Sequence, residues 1–151
     1  MISFRRAVAA DLPAIVGLLA DDALGKSREI ISDPVDPRYA EAFAAIDADG
    51  NQFLAVAADE ADQVVGCLQL SFIPGLSRTG MWRGQIESVR IAASQRGSGL
   101  GSQMIEWAVQ RAAERGCKLV QLTSDKARPD AIRFYEKLGF TVSHEGLKKP
   151  I

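Results

Sequence analysis

A chain of 151 residues, 47% hydrophobic and 25% charged, has the size and balance of one globular domain whose core needs no disulfide or metal. Lysine plus arginine number 18 against 19 acids, a formal net charge of −1. Nothing therefore points to a nucleic-acid partner or an anionic membrane surface, and any polyanion must be recognised locally.

The N-terminus, MISFRRAVAADLP, carries no apolar run behind its positive charges and does not read as a signal peptide. Ile2–Ala7 reads as a first strand. Asp11 is placed to N-cap a helix through Ala20 with Pro13 in its first turn, and Leu12, Ile15, Val16 and Leu19 share one face. Asp21–Pro37 is polar and broken by Gly25, Pro34 and Pro37, a loop or short helix and the expected mobile element. Pro37–Ala48 is a second helical segment. Gln52–Ala58 and Gln63–Phe72 read as a hairpin, and Met81–Ala92 as a third long strand. Strict alternation on that strand sets Ile86, Ser88 and Arg90 on one face, with Glu87, Val89 and Ile91 on the other.

Leu100–Arg115 is the clearest helix. Leu100, Met104, Ile105, Trp107, Ala108, Val109 and Ala112 form its apolar side, and Gly116 stands where a helix usually ends. Lys118–Thr123 reads as a strand, Arg128–Leu138 as a helix closed by Gly139, and Phe140–His144 as the start of a final strand. Cys67 and Cys117 lie in apolar runs, as buried reduced thiols of a cytosolic protein do. Two cysteines and one histidine are too few for a structural zinc site. No apolar run approaches the ~18 residues of a membrane span, so the chain is read as cytoplasmic.

The chemistry concentrates at a strand–turn–helix, IESVRIAASQRGSGLGSQM. Gly97, Gly99 and Gly101 alternate there, which lets successive amides turn inward and lets a phosphate approach without a Cβ in the way. The following helix adds its unpaired first-turn N–H groups and its positive end, and Arg96 adds a cation at the rim. A dinucleotide fingerprint needs G-x-G-x-x-G, but position 102 is Ser. A P-loop ending at Gly25-Lys26-Ser27 lacks its first glycine, because position 20 is Ala. Alone, the pattern supports either a pyrophosphate site or a surface turn capping a helix.

The segment Arg96–Gly101, R-x-x-G-x-G, resembles the signature of the GNAT family of N-acetyltransferases. A second signature agrees: Ala131-Ile132-Arg133-Phe134-Tyr135-Glu136-Lys137-Leu138-Gly139-Phe140 fits the family's A-x-x-F-Y-x-x-x-G-F. The resemblance implies a single-domain α/β fold over residues 1–151, a mixed sheet of about six to seven strands flanked by about four helices. It implies acetyl-CoA as co-substrate, with its pyrophosphate at Arg96, Gly97, Ser98, Gly99, Leu100, Gly101 and Ser102. It also implies that the backbone of Val89, Arg90 and Ile91 pairs with the pantetheine arm.

Acetyl transfer to an amine needs a base for the ammonium proton, an acid for the leaving thiolate and N–H donors for the carbonyl oxygen. Tyr135 is similar to the family's general acid. Glu87, on the strand entering the loop, is the candidate base; its alternatives are an ion pair with Arg83 or Arg90, or binding of the acceptor ammonium alone. Many members carry Asn where this chain has Arg128. Arg128 or nearby Lys126 is then placed to meet a CoA phosphate or the substrate, or to stay solvated. His144 is either an acceptor-pocket residue or a structural one, and Trp82 and Arg83 contact an acceptor or a second subunit or are ordinary structural residues. The implied function is N-acetylation of a small-molecule primary amine by direct attack in a ternary complex, in a protein that is commonly a homodimer. Acetylation of a protein N-terminus or lysine, and a non-catalytic CoA-binding sensor, are the alternatives.

Overall fold

A computed structural model describes residues 1–151. Backbone packing divides the chain into two compact units, Met1–Gln121 and Leu122–Ile151. The sheet has five strands in the order of the sequence: β1 (Ser3–Arg6), β2 (Gln52–Ala58), β3 (Val64–Pro74), β4 (Trp82–Ile91) and β5 (Leu119–Leu122). β1 to β4 pair antiparallel. β5 follows β4 through a crossover helix, the connection that a parallel neighbour requires. The helices are α1 (Leu12–Ala20), α2 (Pro37–Ala48), a single turn α3 (Ser77–Gly80), α4 (Leu100–Glu114) and α5 (Pro129–Lys137). No helix is long and apolar enough to cross a membrane.

The sheet is smaller than the resemblance implies, with five strands rather than six or seven. The expected last strand from Phe140 does not form. Beyond Phe140, whose amide bonds to the Tyr135 carbonyl at 3.1 Å, the remaining residues enter no backbone hydrogen bond. Short polar residues dilute this stretch, and Val142 and Leu147 are exposed. The turn α3 was not anticipated either. It is set by left-handed Arg78, Thr79 and Gly80, with φ of 55°, 62° and 71°.

Alternation in β3 sends alternate residues to opposite sides of the sheet. On one side a Cβ at Gly66 would come 2.9 Å from the Met104 sulfur, and one at Gly84 would come 3.0 Å from the Ala112 Cβ. Both glycines therefore let α4 lie close to the sheet. Met104, Ile105, Ala108 and Ala112 are sealed there, as the helical period predicts, while Val109 turns out to be 38% exposed. Each fully buried Met or Ile contributes about 1.5–3 kcal/mol of transfer free energy. On the other side Ala7, Ile15, Val56 and Cys67 form a core against α1, joined by Phe43 of α2.

Asp11 stands at the N-cap position of α1, but its carboxylate does not bond the helix. It accepts from the Val8 amide at 2.8 Å and from both Arg5 nitrogens at 2.7 and 3.1 Å, closing the β1–α1 corner.

One irregularity changes the face pattern of β4. Cys67 pairs with Arg90 and Gln69 with Glu87, so Ser88 and Val89 together oppose the single residue Leu68. This is a β-bulge, and Ser88 adopts φ 57° to make it. Strict alternation fails past the bulge. Ile91 joins Ile86 on the α4 side, where it meets Gly66, and Arg90 comes to the α1 side beside Cys67.

Candidate active site

The bulge brings Glu87 and Arg90 to the same side of the sheet, opposite Gln69 and Cys67. Glu87 is exposed, at the end of a polar row that crosses the strands. Gln69 Nε2 and Ser71 Oγ both donate to Gln52 Oε1, at 3.0 and 2.7 Å. Gln121 Nε2 donates to Gln85 Oε1 at 2.7 Å. A sheet face that carries amides and a hydroxyl where apolar side chains would stabilise the core is suited to a polar ligand. At the bulge the Val89 carbonyl accepts from Arg90 Nη1 at 2.9 Å.

After β4 the chain makes one 3-10 turn, Ala93–Gln95, and enters the glycine segment. Gly97 and Gly99 have φ of 78° and 85°, the left-handed region that side chains disfavour, and a Cβ on either would meet nothing within 4 Å. Gly99 is the N-cap of α4. The first intrahelical bond runs from the Gln103 amide to the Gly99 carbonyl, 3.2 Å. The amides of Gly97, Gly99, Gly101 and Ser102 donate to no backbone carbonyl, and Leu100 N reaches only Ser98 Oγ at 3.4 Å. Ser98 Oγ in turn donates to the Gln95 carbonyl at 2.6 Å, which holds the loop folded. A row of free amides at the positive end of a 15-residue helix, with no side chain above the glycines, fits a pyrophosphate.

Two arginines ahead of this segment are paired with consecutive acids just past α1. Arg90 Nε lies 3.0 Å from Asp22 Oδ2, and Arg96 Nη2 lies 3.7 Å from Asp21 Oδ2. Asp22 Oδ1 also accepts from the Leu24 and Gly25 amides. Beside these pairs a groove of about 780 Å³ runs between α1, the following loop and the end of β4, lined among others by Gly17, Asp21, Lys26, Glu29, Ala92 and Ala93. None of the groove residues was anticipated. The available signal was the pair Asp21-Asp22 at a helix C-terminus, where acids are electrostatically unfavourable.

Arg128 and Tyr135 belong to the second unit. Arg128 is the N-cap of α5 and half-buried. Tyr135 is also half-buried, edge-on to Phe134 at 5.1 Å and to Phe140 at 5.8 Å. Lys126 pairs with Glu145 at 3.5 Å, and His144 shares a 2.6 Å hydrogen bond with Ser143. In the first unit Trp82 lines a second, 440 Å³ cavity with Arg78 and Lys118, at the opposite end of β4 from the glycines. No cluster of three His, Cys, Asp or Glu side chains is placed to hold a metal.

Comparison with known proteins gives a consistent picture. The sequence model described as "Acetyltransferase (GNAT) family" matches residues 19–140. A crystal structure described as a transcriptional regulator from Bacillus halodurans C-125 is 49% identical, with a TM-score of 0.97 over 100% of both chains. The L-methionine sulfoximine/L-methionine sulfone acetyltransferase of Pseudomonas paraeruginosa is 30% identical over 149 residues, 93% of this chain and 81% of the relative. The aminoalkylphosphonate N-acetyltransferase of Salmonella typhimurium is 34% identical over 82 residues, 54% of this chain and only 53% of the relative's length.

Proposed function

The chain belongs to the acetyltransferase (GNAT) family, and from that premise we propose that it transfers the acetyl group of acetyl-CoA to the primary amine of a small molecule by direct attack. The observation that carries this reading is the set of amides without backbone acceptors at Gly97, Gly99, Leu100, Gly101 and Ser102, at the start of α4 and soon after the bulged strand. Two relatives are named for small acceptors, an aminoalkylphosphonate and L-methionine sulfoximine or sulfone.

Acetyl-CoA supplies an activated thioester. The residues of this chain hold it and manage protons. The amides of Gly97, Gly99, Gly101 and Ser102, with Arg96, hold the pyrophosphate. Backbone groups of Val89, Arg90 and Ile91 pair with the amide-bearing arm, which would lie along the edge of β4 turned away from β3, since Arg90 and Ile91 already oppose Cys67 and Gly66. An alkylammonium acceptor has a pKa near ~10 and must lose its proton before attack. Glu87 accepts that proton, directly or through a water. The Tyr135 phenol donates one to the departing thiolate. Arg128 meets a phosphate of the donor. Neither cysteine is suited to an acyl-enzyme: both are buried and burial pushes both thiols up, Cys67 to about 12.

The test is release of free CoA thiol in the presence of amino acids, aminoalkylphosphonates, polyamines and peptides. Turnover on a small amine supports the proposal, and turnover on peptides alone moves the acceptor to proteins. The regulator described above, identical at 49% of positions, favours one other reading: a CoA-responsive regulator without catalysis. CoA binding with no turnover on any amine would establish that reading instead.

A further inference from the structure

Acids at a helix C-terminus oppose the helix dipole. α1 nonetheless has Asp21 as its C-cap and Asp22 just beyond, with no basic residue in its last turn. Each carboxylate meets one of the two arginines that precede the glycine segment, Asp22 with Arg90 and Asp21 with Arg96. The two pairs differ in kind. Arg90 and Asp22 are about one-fifth exposed, and Asp22 is also tied to two amides of its own loop. Arg96 and Asp21 are about three-fifths exposed and 3.7 Å apart, a loose contact open to exchange. A local conflict in the sequence that is answered by charges beside a binding segment marks a functional arrangement.

We infer that Asp21 competes with the donor's phosphate for the Arg96 guanidinium, and so sets the affinity for CoA. This rests on the donor site proposed above. Arg90–Asp22 is the fixed anchor that keeps the end of α1 beside the loop. Arg96–Asp21 is the exchangeable half. When a phosphate takes Arg96, the Asp21 carboxylate is released onto the rim of the groove that it already lines with Lys26 and Glu29. That groove then presents one more unpaired negative charge, which favours a cationic acceptor. By linkage, the acceptor must then tighten donor binding by the same factor.

The experiment is calorimetric titration of CoA into wild type, Asp21→Asn, Arg96→Gln and the double variant. Asp47→Asn, which removes a carboxylate from exposed α2, controls for net charge. An exposed pair is worth enough to change a Kd roughly two- to five-fold. Asp21→Asn is expected to tighten CoA by that factor. The gain disappears when Arg96 is already Gln, and Asp47→Asn gives none. A thermal melt of each variant shows that it is folded. An unchanged or weaker Kd in Asp21→Asn overturns the competition and leaves the donor site standing. So does a gain that persists in the Arg96→Gln background. Failure of folded wild type to bind CoA at all overturns both.

Discussion

The Sγ of Cys67 lies 3.7 Å from the carbonyl oxygen of Ser88, directly against the bulge in β4. Burial pushes this thiol up to about 12 from an ordinary value of 9.0. Cys67 should therefore resist alkylation in the folded protein at pH 8 and react only after denaturant is added. The sign of the pH effect follows. The folded state keeps a proton that the unfolded chain sheds above pH 9, so Cys67 lowers stability as pH rises from about 9 towards 12. Thiol titration with and without urea, and urea midpoints across that range, check both.

Ser88 sits at φ 57°, where a β-branched side chain is strained. Ser88→Val is expected to cost roughly 1–3 kcal/mol, whereas Ser88→Gly, which suits the conformation, stays within about 1 kcal/mol of wild type. Deleting Ser88 acts differently. It removes the extra residue, so Val89 alone opposes Leu68 while Arg90 and Ile91 keep Cys67 and Gly66 as partners and stay on their present faces. Denaturant unfolding should place Ser88→Gly above Ser88→Val, with the deletion still folded. Equal stability of Ser88→Val and Ser88→Gly would refute the strain at this position.

The same bulge shows what the sequence could and could not reveal. α4 was legible because its buried positions, Leu100, Met104, Ile105, Ala108 and Ala112, keep a helical period over 15 residues. The turn at the glycines was legible because only glycine takes the φ values at 97 and 99 at little cost. The bulge was not. Ser88 carries no glycine signature, and one extra residue leaves the composition of β4 intact while reversing every face beyond it. The clamp of Asp21 and Asp22 on Arg96 and Arg90 was equally hidden, because its partners lie some 70 residues apart. The last strand failed for the opposite reason: a short β-rich run from Phe140 signals a strand, but propensity does not supply a neighbour.

Arg5 and Asp11 couple the fold to acid. The Arg5 guanidinium, bonded through two nitrogens, holds the Asp11 carboxyl below its ordinary 3.8, helped by the Val8 amide. A lowered folded value means stabilisation that is complete above about pH 4 and lost as pH falls below it. Asp11→Asn is expected to destabilise at pH 7 by roughly 1.5–3 kcal/mol, the range for charged hydrogen bonds. It should also flatten the dependence of unfolding free energy on pH between about 5 and 2. An unaltered acid limb in the variant would assign that limb to other carboxylates.

Gly99 separates stability from binding. Gly99→Ala forces a Cβ into φ 85°, at a cost of about 1–2 kcal/mol in folding. The added methyl meets no atom of the protein within 4 Å, and on the proposed reading that open space is where the phosphate lies. CoA affinity should therefore fall by about tenfold or more, beyond what the population of folded protein explains. Gly116→Ala, at the far end of α4 with φ 89°, carries the same backbone cost and serves as the control, with CoA affinity unchanged. Equal losses in both variants would remove the cradle as the donor site.

Tyr135 and Glu87 are separated by what each is proposed to do with a proton. Glu87→Gln removes a base, so kcat/KM on an amine should fall by roughly 10²–10⁴ at neutral pH. The rate should keep rising towards the acceptor's own pKa near ~10, where free amine no longer needs the carboxylate. Tyr135→Phe removes an acid, and its loss depends on the leaving group. An ordinary alkyl thiol has a pKa near ~8.5 and gains from protonation as it departs. An acetyl aryl thioester whose thiol is far more acidic does not. Tyr135→Phe should therefore lose roughly 10² in kcat with acetyl-CoA and much less with the aryl donor, while Glu87→Gln loses equally with both. Equal loss in Tyr135→Phe with both donors would mark Tyr135 as a packing residue beside Phe134 and Phe140 rather than an acid.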